Sequence, residues 1–507
     1  MEKSRSEYVF RNATTAIGLQ IFRNILSFVN RVIFIQILDV EYLGVNSLFS
    51  QILTVLSFAE LGIGNAIIYS LYKPIAEKDK ERLKSLMQLY AVAYKGVGIV
   101  IGIAGVLLIP FLPYLVGEVS YVKENLVFLY LLFLINTVAS YFFGHKKSFI
   151  IANQQNYLVA LYTEAFHVLQ IVLQCVFLVL TKDIVVYIFL MILCTILNNI
   201  FIARKADKMY PFLKEKDVRK LSVEESKGIF QNVKSLFIYR VGGIVLESTD
   251  SIFISAMLNV LTVGLYDNYK MIVGVFKTVG RQVFTSITAS IGNLNTEEDV
   301  QKKENVFFEM LYLHAWYYGF TAVGLVLFLN TVINLMGKNL FIETSAVYVT
   351  CFYYYLYNMH TPSYMYRTTT GLFKRGRFVP VMAAILNIAF NFILGIPFGL
   401  TGILFASVIA RVCTYEIVDP ILLFKNVFKK NPLIYYMKYA KYLAISLTGL
   451  FGSVAIINRI SLDGMVGFFV KVAIVSVIYN IIFFAFTIPS REFKALLQRV
   501  KFLKKRN

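Results

Sequence analysis

The chain has 507 residues, of which 58% are hydrophobic and 16% charged, with a formal net charge of +20. A soluble protein of this length cannot bury so much apolar side chain, so the composition excludes a soluble globular enzyme and places the chain in a membrane. The excess of positive charge is then a matter of where the basic residues lie.

Hydropathy predicts an all-α polytopic membrane protein with about fourteen transmembrane helices. The spans run over 10–37, 43–70, 85–115, 125–150, 157–180, 184–203, 229–257, 264–292, 304–329, 344–373, 379–396, 401–424, 442–458 and 464–488. Alternate connections hold 35 Lys and Arg in one set, which includes both termini. The other set holds four: Lys123, Lys182, Lys338 and Arg459. The positive-inside rule makes the first set cytoplasmic, so both termini face the cytoplasm of a multi-pass plasma-membrane protein. The bulk of the net charge is accounted for by topology and anionic lipid headgroups, and no nucleic-acid partner is expected.

Span 1 contains Gln20, Arg23, Asn24, Ser27, Asn30 and Arg31. At ~100° per residue these fall within about 120° of the helix surface, while Phe22, Ile25 and Val29 lie opposite. Two arginines on one stripe at this depth line a seam or a hydrated cavity, the settings in which membranes tolerate them. In span 2, Glu60 is either a pairing partner or a site for a coupling ion. Gly98 and Gly102 in span 3 are spaced for close helix packing.

The sequence repeats at an offset of 220 residues. Phe10, Asn12, Leu38, Gly44, Ile52 and Val55 meet Phe230, Asn232, Leu258, Gly264, Ile272 and Val275. The loop Glu77–Asp79 falls on Glu297–Asp299. Spans 1–2 thus recur as spans 7–8 in the same membrane orientation. This predicts two pseudo-symmetric six-helix bundles plus two C-terminal helices. The lobes are 1–203 and 229–424, joined by a cytoplasmic linker over 204–228, with helices 13–14 and a basic tail in 425–507. Ser222 and Glu225 read as a capping box opening span 7.

Span 7 places Arg240, Glu247 and Asp250 on one face, and span 8 stacks Lys270, Lys277 and Arg281 within roughly 40°. Cations predominate over carboxylates at corresponding places in the two lobes. That balance favours an anionic cargo such as phosphate or diphosphate. The competing reading pairs these cations with Glu60, Glu247 and Asp250 as interhelical ties, Arg31 with Asp250 and Arg240 with Glu247 first among them. The carboxylates equally suit a coupling proton or Na⁺, so an ion gradient is the expected driving force and no other cofactor is called for. In span 10, Pro362 is expected to break or kink the helix and to serve as a hinge. Arg411, Glu416 and Asp419 in span 12 read either as cavity residues or as pairs.

Cys175, Cys194, Cys351 and Cys413 show no Cys-x-x-Cys spacing, and His145, His167, His314 and His360 form no ligand pattern, so no metal site is expected. The tail Arg491–Asn507 sets Phe493, Leu496, Leu497, Val500 and Leu503 near one face and reads as an interfacial amphipathic helix.

Three stretches carry a resemblance: Asp39-Val-Glu-Tyr-Leu-Gly-Val-Asn-Ser-Leu-Phe49, Leu56-Ser-Phe-Ala-Glu-Leu-Gly-Ile-Gly-Asn-Ala66 and Tyr69-Ser-Leu-Tyr-Lys-Pro-Ile-Ala76. They resemble the N-terminal part of the polysaccharide-exporter family, the Wzx-like oligosaccharide flippases of the multidrug/oligosaccharidyl-lipid/polysaccharide (MOP) exporter superfamily. The resemblance implies a non-enzymatic flippase that moves an undecaprenyl-diphosphate-linked oligosaccharide outward by alternating access, for capsule or exopolysaccharide synthesis in a bacterium. It also implies a cationic lumen, which Arg23, Arg31, Lys270, Lys277 and Arg281 fit, and a polymerase and glycosyltransferases of the same pathway as partners. A lipid II flippase would share the fold and the cationic cavity. A drug or cation antiporter calls for a carboxylate-rich cavity instead. A membrane glycosyltransferase or polymerase would use Asp39 and Glu41, but they sit in a connection too short to build a subsite.

Overall fold

The computed structural model describes residues 5–57, 63–117, 119–215, 248–294, 299–337, 339–370, 372, 375–462 and 464–506. It is an all-α polytopic membrane protein. Among the described residues seven helices are long and apolar enough to span a bilayer, and a bent pair adds an eighth.

The chain divides into two compact units, 1–267 and 268–507. In the first, the helices are α1 (Arg5–Leu38), α2 (Val40–Leu56), α3 (Ile63–Glu77), α4 (Lys80–Leu107), α5 (Leu112–Val116), α6 (Leu126–Tyr141), α7 (Gly144–Ala152), α8 (Asn156–Thr181), α9 (Ile184–Met209) and α10 (248–257). Helix α11 (Val260–Leu294) carries the boundary between the units. The second unit continues with α12 (Val300–Met336), α13 (Thr344–Met359), α14 (Thr361–Thr369), α15 (Val379–Cys413), α16 (Tyr415–Leu423), α17 (Leu433–Ile457), α18 (Gly464–Thr487) and α19 (Arg491–Arg506).

Short polar side chains start the helices. Asp39 Oδ1 accepts from the Val40 and Glu41 N–H groups at 2.6 and 3.3 Å, Asp79 Oδ1 from Arg82 at 3.0 Å, and Asn125 Oδ1 from Phe128 at 3.1 Å. Asn259 Oδ1 accepts from Thr262 at 2.8 Å and Asp299 Oδ1 from Lys302 at 3.0 Å. Each satisfies a donor that the helix itself leaves without a partner. Asp39 holds φ at 86° to do so. Glu41, in the first turn of α2, accepts from the backbone N–H groups of Ser120 (3.1 Å) and Tyr121 (2.7 Å). Both acidic residues of this corner therefore hold backbone, as its position in a turn suggests.

The predicted fourth span is two helices, α6 and α7, bent by 41° where Phe143 takes a left-handed φ of 65°. Spans 11 and 12 meet with almost no connection. Gly399 (φ 53°, ψ −134°) breaks α15, and a Cβ on Gly402 would lie 2.0 Å from the Leu394 carbonyl oxygen, so the chain folds back on itself there. Pro362 interrupts span 10 as expected. The passage from α13 to α14 runs through His360, which keeps helical dihedrals (φ −74°, ψ −22°). The proline therefore removes a ladder donor without turning the chain out of the helical region.

Within each unit, side-chain packing and polar contacts tie the helices to one another. In the first unit Phe49 sits edge-on to Tyr130 (5.3 Å) and Phe133 (5.9 Å). Gly98 and Gly102 of α4 face Val138 of α6, but a Cβ on either would stand 3.7–3.8 Å from its nearest neighbours, an ordinary contact, so glycine is not required there for the helices to pack. In the second unit Phe307 is ringed by Tyr366 (5.3 Å), Phe428 (5.4 Å) and Phe424 (5.8 Å). The tail helix α19 docks on this unit. Arg499 pairs with Glu309 of α12 at 2.9 Å, Lys438 with Glu492, and the Phe493 ring meets Phe484 at 5.8 Å.

Candidate functional site

The polar stripe of α1 behaves as its periodicity predicts. Phe22, Ile25 and Val29 are exposed, as suits a lipid-facing side, whereas Gln20 and Asn30 are buried. On the stripe, Arg23 Nη1 donates to Glu164 Oε1 of α8 at 2.7 Å. Asn30 Nδ2 donates to the Tyr187 hydroxyl of α9 at 3.1 Å, and its Oδ1 accepts from Cys175 Sγ at 3.4 Å. Arg31 Nη1 donates to Asp267 Oδ2 at 2.8 Å. Both arginines are half-buried, with side-chain exposures of 26% and 18%.

Each ion pair uses one guanidinium nitrogen and one carboxylate oxygen. A guanidinium has five N–H donors, so the fork suited to a phosphate is not taken up by either pair. The pairing partner of Arg31 is Asp267 of α11, a residue the sequence pattern did not single out, and Glu164 was missed likewise. Asp250 lies half-buried in α10. Glu60, Arg240, Glu247 and the capping box Ser222/Glu225 lie outside the described residues.

In the second unit Lys270 and Lys277 are half-buried on α11 and Arg281 is exposed. Lys277 Nζ sits 3.7 Å from the centroid of the Tyr357 ring of α13, and the Arg411 guanidinium of α15 stands 4.5 Å from the same ring. Such cation–π contacts contribute about 0.5–2 kcal/mol and hold a cation without neutralising it.

Arg411 opens a buried polar chain. Its Nε donates to Glu416 Oε1 at 3.1 Å and its Nη2 contacts His360 Nδ1 at 3.1 Å. His360 Nε2 contacts Asp419 Oδ2 at 2.9 Å, and Asp419 Oδ1 receives Arg367 Nη1. Arg367 and Asp419 are both 0% exposed. The pair reading of Arg411, Glu416 and Asp419 is thus the observed geometry, and His360 joins it. The signal was in the sequence: His360 and Arg367 are spaced i, i+7 on the helix preceding the hairpin that bears the others.

No family model matches the chain, and no curated protein matches it. Solved structures do. The lipid II flippase MurJ in an inward closed conformation is 18% identical with a TM-score of 0.68, over 94% of this chain and 98% of that one. An inward-facing multidrug resistance MATE family transporter of the MOP superfamily is 14% identical with a TM-score of 0.62, over 80% and 96%. A MOP superfamily transporter from Pyrococcus furiosus, whose description speaks of a binding pocket of reversed polarity, is 15% identical with a TM-score of 0.59, over 82% and 95%. This chain is therefore a multi-pass membrane protein with the fold shared by MOP superfamily transporters.

Proposed function

We propose that the chain is a flippase that carries an undecaprenyl-diphosphate-linked oligosaccharide from the cytoplasmic to the outer leaflet of a bacterial plasma membrane. It works by alternating access of two lobes, with fourteen spans and cytoplasmic termini. The observation that carries this reading is the monodentate pairing of Arg23 and Arg31 inside an apolar span. Two guanidinium forks at membrane depth, each with N–H donors to spare, suit a diphosphate that gives up its water on crossing. Lys270, Lys277 and Arg281 add cationic character on α11, and Arg240 belongs to the same set. Asp250, Glu60 and Glu247 are ion-coupling or pairing groups. A proton or Na⁺ gradient drives the cycle, and the product feeds a polymerase supplied by glycosyltransferases of the same pathway.

The lipid II reading is the second, favoured by the coverage of the MurJ structure from end to end. The cationic stripe speaks against a cation antiporter. Proteoliposomes containing the purified chain separate these readings: a fluorescent undecaprenyl-diphosphate oligosaccharide is expected to become accessible to an external glycosidase. Movement of lipid II alone would transfer the chain to peptidoglycan synthesis, and movement of neither lipid would end the flippase reading.

A further inference from the structure

The geometry points to a proton-binding site at His360 whose occupation opens the break between α13 and α14. The donor inventory fixes the starting state. An arginine guanidinium only donates, so the 3.1 Å contact from Arg411 Nη2 makes His360 Nδ1 an acceptor, without a proton. The proton of a neutral imidazole then sits on Nε2 and is donated to Asp419 Oδ2 at 2.9 Å. With His360 neutral, Arg367 and Arg411 balance Asp419 and Glu416, and the cluster carries no net charge. All five residues are more than nine-tenths buried.

A proton added at Nδ1 meets the Arg411 donor head-on. The two groups cannot remain 3.1 Å apart as paired donors, and the cluster acquires one uncompensated charge in an apolar interior. Either Arg411 or His360 must move. His360 is the mobile partner, because it lies at the junction of α13 and α14, where Pro362 offers no N–H to the carbonyl of Asn358. Imidazole is the side chain that ordinarily changes charge between pH 5 and 8, which suits it to this role.

Among the described residues, Arg411 Nη2 is the one hydrogen-bond partner of Nδ1. From α13, Tyr357 turns its ring to Arg411 at 4.5 Å, and its carbonyl oxygen accepts from Arg411 Nη2 at 3.4 Å. From α14 come Tyr364, ring to ring at 6.5 Å, and Arg367; from α16 come Tyr415 at 5.7 Å, Glu416 and Asp419. The α17 hydroxyl of Tyr436 donates to the Glu416 and Ile417 carbonyl oxygens at 3.2 and 3.0 Å. Lys277 of α11 approaches only through Tyr357. From α12, Tyr318 reaches α13 at Tyr354, 5.8 Å away.

The test needs no cargo, so it stands or falls apart from the flippase reading. The full chain, with its four native cysteines replaced, takes spin labels at Tyr348→Cys on α13 and Thr368→Cys on α14, roughly 30 Å apart along the helix axis. In lipid nanodiscs, the distance distribution is expected to gain a second population on going from pH 8 to pH 5, at least tenfold above its pH 8 level. His360→Gln, which keeps an amide donor but cannot charge, is expected to stay in the pH 8 population throughout. An unchanged wild-type distribution overturns the proposal, as does a His360→Gln chain that responds like the wild type. A ¹⁵N spectrum of a chain whose only histidine is His360 guards against misfolding of that variant. It is expected to show a neutral imidazole protonated at Nε2 at pH 8 and a doubly protonated one at pH 5; an imidazole still neutral at pH 5 refutes the site.

Discussion

Gly44 and Gly264 stand 220 positions apart and lie against one another. A Cβ on Gly44 would come within 2.0 Å of the Val260 carbonyl oxygen, and a Cβ on Gly264 within 2.4 Å of the Val40 carbonyl oxygen. Val40 and Val260 are themselves 220 apart, so the contact is self-complementary: each copy of the repeat offers the same glycine to the same carbonyl of the other. Both obstacles are backbone and cannot swing aside. Gly44→Ala and Gly264→Ala are each expected to lower stability by about 1–3 kcal/mol, read as a lower unfolding midpoint of the purified protein. An unchanged midpoint for both would mean that the helices separate there at little cost.

The corner before α2 yields a graded prediction. Asp39 caps the helix and also holds φ at 86°, a backbone region where alanine is strained and glycine is not. Asp39→Ala should therefore lose about 1 kcal/mol or more, and Asp39→Gly only a few tenths, in thermal unfolding. Asp39→Asn should be nearly neutral, since asparagine caps as well as aspartate and tolerates a positive φ. Equal loss in all three would point to a role beyond capping.

For the stripe on α1, charge and fork geometry are separable. In the flipping assay Arg31→Lys is expected to retain part of the rate, because it keeps the charge and loses the fork. Arg31→Ala should fall roughly tenfold or more, the scale of one lost charge-assisted bond, and Arg31→Glu further still. Asp267→Asn should leave the rate intact or raise it, by releasing the guanidinium from its 2.8 Å pair. If Arg31→Ala instead lowers only the amount of folded protein, and Asp267→Asn restores it in the double variant, the arginine is a structural tie.

Pro362→Ala restores an N–H to the α13–α14 junction and so completes the helical ladder. Export at limiting expression should slow while membrane abundance stays the same. An export rate equal to wild type would reduce the interruption to a static feature.

Orientation is checked by labelling. On a cysteine-free background, Ser222→Cys and Asn431→Cys should be blocked only by permeant reagents, and Ser120→Cys and Asn339→Cys by impermeant ones. Labelling of position 222 from outside would reverse the topology.

The spans were legible because a bilayer demands some twenty apolar residues per crossing, and α8, α9 and α18 begin and end within several residues of the hydropathy runs, whereas α17 starts nine residues before its run. The stripe on α1 was legible because helical period alone decides which residues share a face. The partners were not. Glu164 and Asp267 lie 141 and 236 residues from the arginines they meet, and no periodicity carries information across such gaps. The His360 cluster was legible in part: His360 and Arg367 stand i, i+7, whereas Arg411 of α15 and Glu416 and Asp419 of α16 join them only when those helices pack. The bend at Phe143 was hidden for a different reason: the left-handed residue is neither glycine nor asparagine.

Helix starts carry the chain's history better than its membrane-facing surface does. Asp79 and Asp299, 220 residues apart, each accept from the N–H three residues on at 3.0 Å, and Asp39 and Asn259, likewise 220 apart, each cap a helix start, Asp39 through the N–H groups one and two residues on and Asn259 through the one three on. Lipid accepts any greasy side chain, so outward positions can drift until two duplicated halves no longer look alike. A capping oxygen has only a handful of substitutes, and a carbonyl pressed against a glycine has none. In this chain the match at 220 residues is clearest as punctuation, in the few letters that tell a helix where to begin and how near another backbone can come.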